Sequence, residues 1–252
     1  MSDLREDGFL GGRLRITQPA GGYRAGADAV MMAAACPARA GQSLLELGCG
    51  AGVAMLCVAI RVPGIMLSGL ELQPEYAALA RRNADANGIA AQIFQGDLAR
   101  MPATLRDTVF DHVMANPPYF TAGTAAPDAG RSTARHENTP LAVWIDAALR
   151  RLRPGGHLTL IQRTERLGML MSALEGRAGA ITILPVAPRE GREAGRVIIV
   201  ARKGARAPLR LLAPFIMHEK PSHSGDGEDL TPAAQAVLRD AAALSRGGAD
   251  FR

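Results

Sequence analysis

Glu46-Leu47-Gly48-Cys49-Gly50-Ala51-Gly52 is the stretch on which the fold turns. It stands between a compact apolar run, Ser43–Leu47, and an apolar helical stretch, Val53–Arg61. Glycines at alternate positions let the backbone approach a ligand that a Cβ would exclude. A strand, a glycine turn and a helix in that order also deliver the ligand to a helix N-terminus at the carboxyl edge of a sheet. The spacing is GxGxG rather than GxGxxG, and no Gly-Lys-Ser/Thr follows, so a triphosphate ligand is disfavoured.

Outward from this loop, short apolar runs alternate with helical stretches. Residues 65–70 read as a strand ending at Glu71. Pro74 then opens a helix over 75–87 that stops at Asn87-Gly88. Residues 92–94 form a third strand before Asp97, and Phe110–Ala115 a fourth that runs straight into Asn116-Pro117-Pro118-Tyr119. A helix over 141–152 is closed by Pro154-Gly155-Gly156, with a strand at 157–162 and a helix at 165–177 after it. The runs 181–187 and 196–201 leave no room for a helix between them and predict an antiparallel hairpin. Upstream, residues 28–36 read as a helix; downstream, Thr231 and Pro232 mark an N-cap and first helical position. The pattern predicts an α/β fold with a doubly wound, mostly parallel sheet. It is organised as an N-terminal extension (1–40), a core (41–204) and a C-terminal extension (205–252).

The chain has 252 residues, 48% of them hydrophobic, which suffices for a large core and excludes collagen-like, disordered and coiled-coil classes. The formal charge is +5, and 27 of the 29 basic residues are arginine. Codon bias would explain that excess; so would a polyanionic partner, because arginine forks match phosphate geometry. Three cysteines, Cys36, Cys49 and Cys57, with no CxxC or Cys/His cluster, argue against a disulfide framework and a zinc site. The N-terminus lacks the apolar core of a signal peptide, and no apolar run approaches a bilayer span. These features predict a soluble cytoplasmic protein without a metal; oligomeric state is left open, with a monomer favoured.

Glu71 closes the second strand 19 residues after Gly52, where a carboxylate suits two vicinal ribose hydroxyls, and Asp97 ends the third strand, within reach of an adenine amino group. With these acids in order behind the glycine loop, the chain resembles the class I S-adenosylmethionine-dependent methyltransferases from about Gly41 to Lys203, terminal hairpin included. The resemblance implies a Rossmann-like fold with a seven-stranded sheet and S-adenosyl-L-methionine as cofactor. It further implies cofactor contacts from Tyr23, Asp28, Glu46, Gly48, Cys49, Gly50, Gly52, Glu71, Leu72, Asp97, Leu98 and Asn116.

Asn116-Pro117-Pro118-Tyr119 bears on the reaction. An exocyclic amine on an aromatic ring, or an amide nitrogen, is a poor nucleophile because its lone pair is delocalised. Acceptors aimed at its N–H groups favour the rehybridised nitrogen of the transition state. The Asn116 side-chain oxygen and the Pro117 carbonyl can supply them, since proline keeps its acceptor and has no N–H. Consecutive Pro117 and Pro118 stiffen the loop, and Tyr119 offers a stacking face. This tetrapeptide resembles the motif of methyltransferases acting on adenine N6, guanine N2 or the glutamine amide.

The flanks narrow the choice. Gln18-Pro19, Gly22-Tyr23-Arg24 and Asp28-Ala29-Val30 resemble the N-terminal motif of the bacterial tRNA(Val) adenine-37 N6-methyltransferase family. So do Arg131, Ala134-Arg135-His136-Glu137, Ala201-Arg202-Lys203-Gly204 and the tail Pro208-Leu209, His218-Glu219 and Thr231-Pro232. Two stretches depart from it: 221–229 is longer and more acidic, and 25–27 reads Ala-Gly-Ala. The resemblance implies N6-methylation of an adenine in RNA, with tRNA the expected substrate. Arg131, Arg135, His136, Arg192, Arg202 and Lys203 would contact that RNA. Guanine N2 of rRNA, glutamine N5 of a protein, and an RNA-binding relic without activity are the alternatives.

Overall fold

The computed structural model describes residues 3–118, 139–220, 229–246 and 249–250; Tyr119, Arg131, Arg135, His136 and the stretch 221–228 lie outside the described residues. From the N-terminus, β1 (Leu4–Phe9) and β2 (Leu14–Pro19) form an antiparallel hairpin, followed by α1 (Ala27–Ala35). Then come β3 (Ser43–Leu47), α2 (Val53–Arg61), β4 (Met66–Glu71), α3 (Pro74–Ala86) and β5 (Ala91–Gln95). A short helix α4 (Ala103–Arg106) precedes β6 (Phe110–Ala115), and α5 (Leu141–Arg151) precedes β7 (Leu152–Arg163). Next are α6 (Leu167–Leu174), β8 (Ala178–Ala187) and β9 (Arg196–Lys203). Two short strands, β10 (Arg210–Leu211) and β11 (Phe215–Ile216), lead to α7 (Pro232–Asp240), whose N-terminal Thr231 accepts a hydrogen bond from the Ala234 amide.

The main sheet runs β10-β8-β9-β7-β6-β3-β4-β5, with β11 also paired to β8. The ladders from β5 to β7 are parallel, and β9 is antiparallel to both β7 and β8, as the missing crossover helix requires. The strand count is higher than seven. Strands β10 and β11 extend the β8 edge by two residues each, too few to leave an alternation in the sequence.

The N-terminal hairpin is likewise absent from the sequence reading, which finds only a helix there. Its first strand carries Arg5, Glu6 and Asp7 and lies largely exposed, whereas β2 buries Leu14 and Ile16 completely. The Pro154-Gly155-Gly156 stretch does not end a helix but sits inside β7 as an irregularity in its pairing with β6. Helix α6 is shorter than expected and ends before Gly176, whose φ of +69° no L side chain adopts easily.

Strands buried on both faces read as continuous apolar runs. In β9 the alternation survives as a division between two cores: Ile198 and Val200 pack with α1 and α2, Val197 and Ile199 with α5 and α6. Cys36, Cys49 and Cys57 are buried and free. No helix among the described residues is long and apolar enough to cross a membrane.

One buried amide ties the hairpin to this core. Asn83 on α3 is 1% exposed, accepts from the Thr17 amide at 2.8 Å, and donates to the Thr17 and Ala51 carbonyls at 3.0 and 2.9 Å. It therefore joins β2, α3 and the glycine loop. Replacing it leaves three buried backbone groups without partners, so Asn83→Ala should lower the unfolding free energy by about 2–4 kcal/mol. Urea unfolding of the two proteins measures this; a loss well below 1 kcal/mol would mean that solvent reaches those groups.

Candidate active site

Chain order runs outward from β3 through β4 to β5 on one side and from β6 to β7 on the other, so the switch in direction falls between β3 and β6. Leu47 and Ala115 are partners across that ladder. The next residues, Gly48 and Asn116, consequently leave the sheet side by side. On the other flank Leu70 pairs with Leu47, which brings Glu71 to the same edge.

The glycine loop is held tightly there. Both the Gly48 and Cys49 amides donate to the Leu70 carbonyl, at 2.7 and 3.0 Å. Gly48 has φ +64°, and a Cβ on it would lie 2.7 Å from the Trp144 ring of α5. The indole fills the space that the glycine vacates, so this position is closed to any side chain.

Two buried acids wire the loop from below. Glu46, 4% exposed, accepts from the Met55 amide at 2.9 Å and so caps the first turn of α2 across the loop. Glu71, also 4% exposed, accepts from the Gly50 amide at 2.8 Å and the Gln73 amide at 2.9 Å. Each Glu71 oxygen thus holds one backbone amide at the loop. Burial pushes the Glu46 carboxyl up to about 8; the Met55 amide opposes the shift and the Glu71 charge adds to it. Burial and the same two acids push the Cys49 thiol well up, so it remains an unreactive thiol.

Gly48, Leu72, Asp97 and Leu98 line one small cleft with Leu70, Gly96 and Thr139. Asp97 accepts from the Ala99 amide at 2.8 Å, which fixes the turn carrying Leu98.

Tyr23 reaches the site from the N-terminal segment. Gln18 positions that segment: it is 1% exposed, and its oxygen accepts from the Ala25 amide at 2.9 Å. The Tyr76 hydroxyl donates to the Tyr23 carbonyl at 2.8 Å. The Tyr23 ring lies beside Gly50, with more than half of its surface open, while its hydroxyl hydrogen-bonds the Asn116 side chain. Burial of that hydroxyl, then the charges of Glu46 and Asp28, raise its pKa, and the Asn116 bond works against them. Asp28 itself pairs with Arg196 Nε at 2.9 Å.

Asn116, Pro117 and Pro118 follow β6 directly, and Tyr119 lies outside the described residues. Pro117 is buried, and its carbonyl accepts from Gln162 Nε2 at 3.0 Å; the Pro118 carbonyl accepts from Arg166 Nη1 at 2.8 Å. The sequence reading missed both donors. Their signal was positional, since Gln162 is the penultimate residue of β7 and Arg166 follows that strand, at the same edge as the glycine loop.

The basic residues divide. Arg192 is exposed in the β8–β9 turn, near the end of β7 and the start of β9. Arg202 and Lys203, grouped with it in the sequence reading, are not brought to this edge. Arg202 is level with His157 and donates to the Gly155 carbonyl, and Lys203 donates to the Leu152 carbonyl, opposite the first residue of β6. Arg131, Arg135 and His136 lie outside the described residues. Among the described residues no group of His, Cys, Asp and Glu could hold a metal ion.

The state of Glu46 has a measurable consequence. Its pKa rises from 4.5 to about 8 on folding, so its stabilising proton is fully in place below about 4.5 and is lost as the pH climbs through 8. The ligand-free protein should therefore lose stability between about pH 5 and 8. Glu46→Gln keeps an acceptor for Met55 and removes the titration. Melting temperatures across that range should fall less steeply for the variant; equal slopes would assign the effect to another group.

Residues 26–184 match the family model described as the methyltransferase small domain. A tRNA1(Val) (adenine(37)-N6)-methyltransferase from Porphyromonas gingivalis is 36% identical over 164 residues, 62% of this chain. That match spans 64% of the relative, just under two thirds of its length. A protein of the same name from Musicola paradisiaca is 25% identical over 91% of this chain and 94% of its own. A crystal structure from Agrobacterium tumefaciens, described as a predicted O-methyltransferase, has a TM-score of 0.70 at 30% identity, covering 87% of this chain and 99% of its own. On its glycine loop, its sheet and a family match over more than half its length, the chain belongs to the methyltransferase small domain family.

Proposed function

We propose that the chain transfers a methyl group from S-adenosyl-L-methionine to N6 of an adenine in RNA, with a tRNA as the substrate. The observation that carries the reading is the exit of Asn116-Pro117 beside the glycine loop, from strands paired Leu47 to Ala115. Relatives named for adenine 37 of tRNA1(Val) support the choice of base and of RNA.

The residues present fit the cofactor. Glu46 and Glu71 place buried carboxyl oxygens at the glycine loop, where they suit the ammonium and ribose hydroxyls of the cofactor. Leu72 and Leu98 flank Asp97 in the cleft beside Gly48, apolar walls for a flat group. When bound, S-adenosyl-L-methionine supplies a methyl group on a positively charged sulfur, so transfer is one displacement that leaves a neutral thioether and releases one amine proton to water.

The chain's own task is placement. The Asn116 oxygen and the Pro117 carbonyl accept from the two N6 protons, which draws the nitrogen lone pair out of the ring and toward the methyl group. Tyr119 is assigned the stacking face for a base flipped out of its strand. Positioning of this kind contributes on the order of several kcal/mol. Arg163, Arg166 and Arg192 border this end of the sheet and would meet phosphates, together with Arg131, Arg135 and His136.

Asn116→Ala should abolish transfer while cofactor binding, measured by calorimetry, persists; retained turnover removes the assignment. Nucleoside mass spectrometry of tRNA from a deletion strain should show one N6-methyladenosine lost and restored by purified enzyme. RNA affinity should fall steeply with salt, and Arg192→Glu should weaken it more than Arg202→Glu at the far edge of the sheet. Equal effects would mean that the RNA wraps both edges.

A further inference from the structure

Two successive carbonyls of the catalytic loop are held from one neighbouring segment. The register Ala115 to Leu160 puts Gln162 level with Pro117 across the β6–β7 ladder. Gln162 is completely buried; its Nε2 donates to the Pro117 carbonyl at 3.0 Å and its Oε1 accepts from the Arg163 amide at 2.9 Å. The second bond settles the first. A backbone N–H must meet the oxygen end of the side chain, so the NH2 end has to face Pro117. Arg166, four residues on, secures the next carbonyl at 2.8 Å.

A carbonyl oxygen has two acceptor lone pairs. With one taken by Gln162, the plane of the Pro117 peptide is fixed and the remaining lone pair has one direction. We propose that Gln162 is a positioning residue for methyl transfer, setting the aim of the Pro117 carbonyl, and through it the placement of the target nitrogen, without touching the reacting atoms. This rests on the reading of Asn116 and Pro117 as the acceptor pair. The glycine loop hangs from β3 and is wired by Glu46 and Glu71, so loss of the Gln162 bond disturbs the acceptor and leaves the cofactor half in place.

Two variants of the full chain test it, each assayed with S-adenosyl-L-methionine and a tRNA substrate. Gln162→Leu keeps the shape and removes the donor; kcat should drop about 10- to 100-fold, with cofactor affinity and the KM for RNA changed less than about threefold. In Gln162→Glu the introduced carboxyl, when protonated, can donate to Pro117 and still accept from Arg163. When ionised it faces a carbonyl with no proton to give. Its kcat should therefore decline as pH rises through that carboxyl's pKa, a limb absent from the parent and from Gln162→Leu. Thermal melting and calorimetric cofactor titration accompany both, because a merely structural bond would lower stability and cofactor binding in step with kcat and add no pH limb.

Parent-like kcat in Gln162→Leu, or losses that track stability and cofactor affinity, would overturn the proposal. Should Gln162→Leu fail to fold, the pH profile of Gln162→Glu decides alone, and a flat profile overturns it. Asn116→Ala in the same assay separates the two levels. If it still turns over, the acceptor-pair reading has failed. If it is dead while Gln162→Leu is unaffected, only the positioning role has.

Discussion

Leu47 and Ala115 face each other in the ladder between β3 and β6, and the placement of every candidate functional group depends on that register. The residues after them, Gly48 and Asn116, emerge together because neighbouring parallel strands end at the same height. A slip of one residue would reverse the faces of β6, sending Val113 toward the α1–α2 layer and Met114 toward the α5–α6 layer. The two cores are packed with different side chains, so the register is held by burial and the site inherits its geometry from that packing. The same logic extends one strand further each way, to Glu71 through β4 and to Gln162 through β7.

Around this junction the protein accepts the cost of burying acids. Glu46 and Glu71 are nearly inaccessible, and each satisfies backbone amides of the loop or of the helix after it. Those bonds preorganise a backbone that Gly48, Gly50 and Gly52, all at positive φ, would otherwise leave loose. An unpaired buried carboxylate is unfavourable, and Glu46 meets that by holding its proton near neutral pH. A ligand carrying positive charge would offset that cost, so its binding and the stability of the loop are linked.

The arginine excess proves to be partly internal. Arg189 reaches Asp229 at 2.8 Å, Arg196 reaches Asp28 at 2.9 Å and Arg153 reaches Asp111 at 2.7 Å, each pairing segments distant in sequence. The arginine count therefore overstates the basic surface; Arg163, Arg166 and Arg192 stand at the end of the sheet where the glycine loop emerges.

The glycine loop, the acids at successive strand ends, Asn116-Pro117 after β6 and the terminal hairpin were legible in the sequence because each is a local pattern with one physical reading: strand, turn, helix, or a strand with no crossover. The N-terminal hairpin and the strands β10 and β11 were not, since a charged exposed strand and two-residue strands carry no periodicity. Nor was the separation of Arg202 and Lys203 from the site, because β9 runs antiparallel and carries its C-terminal residues to the opposite edge. Gln162 and Arg166 belong to the same category. Alone, the sequence determined the order of the elements and the chemistry each strand end could offer. Tertiary structure decided which of those ends meet, because pairing between distant strands sets distance and direction, and no local pattern encodes either.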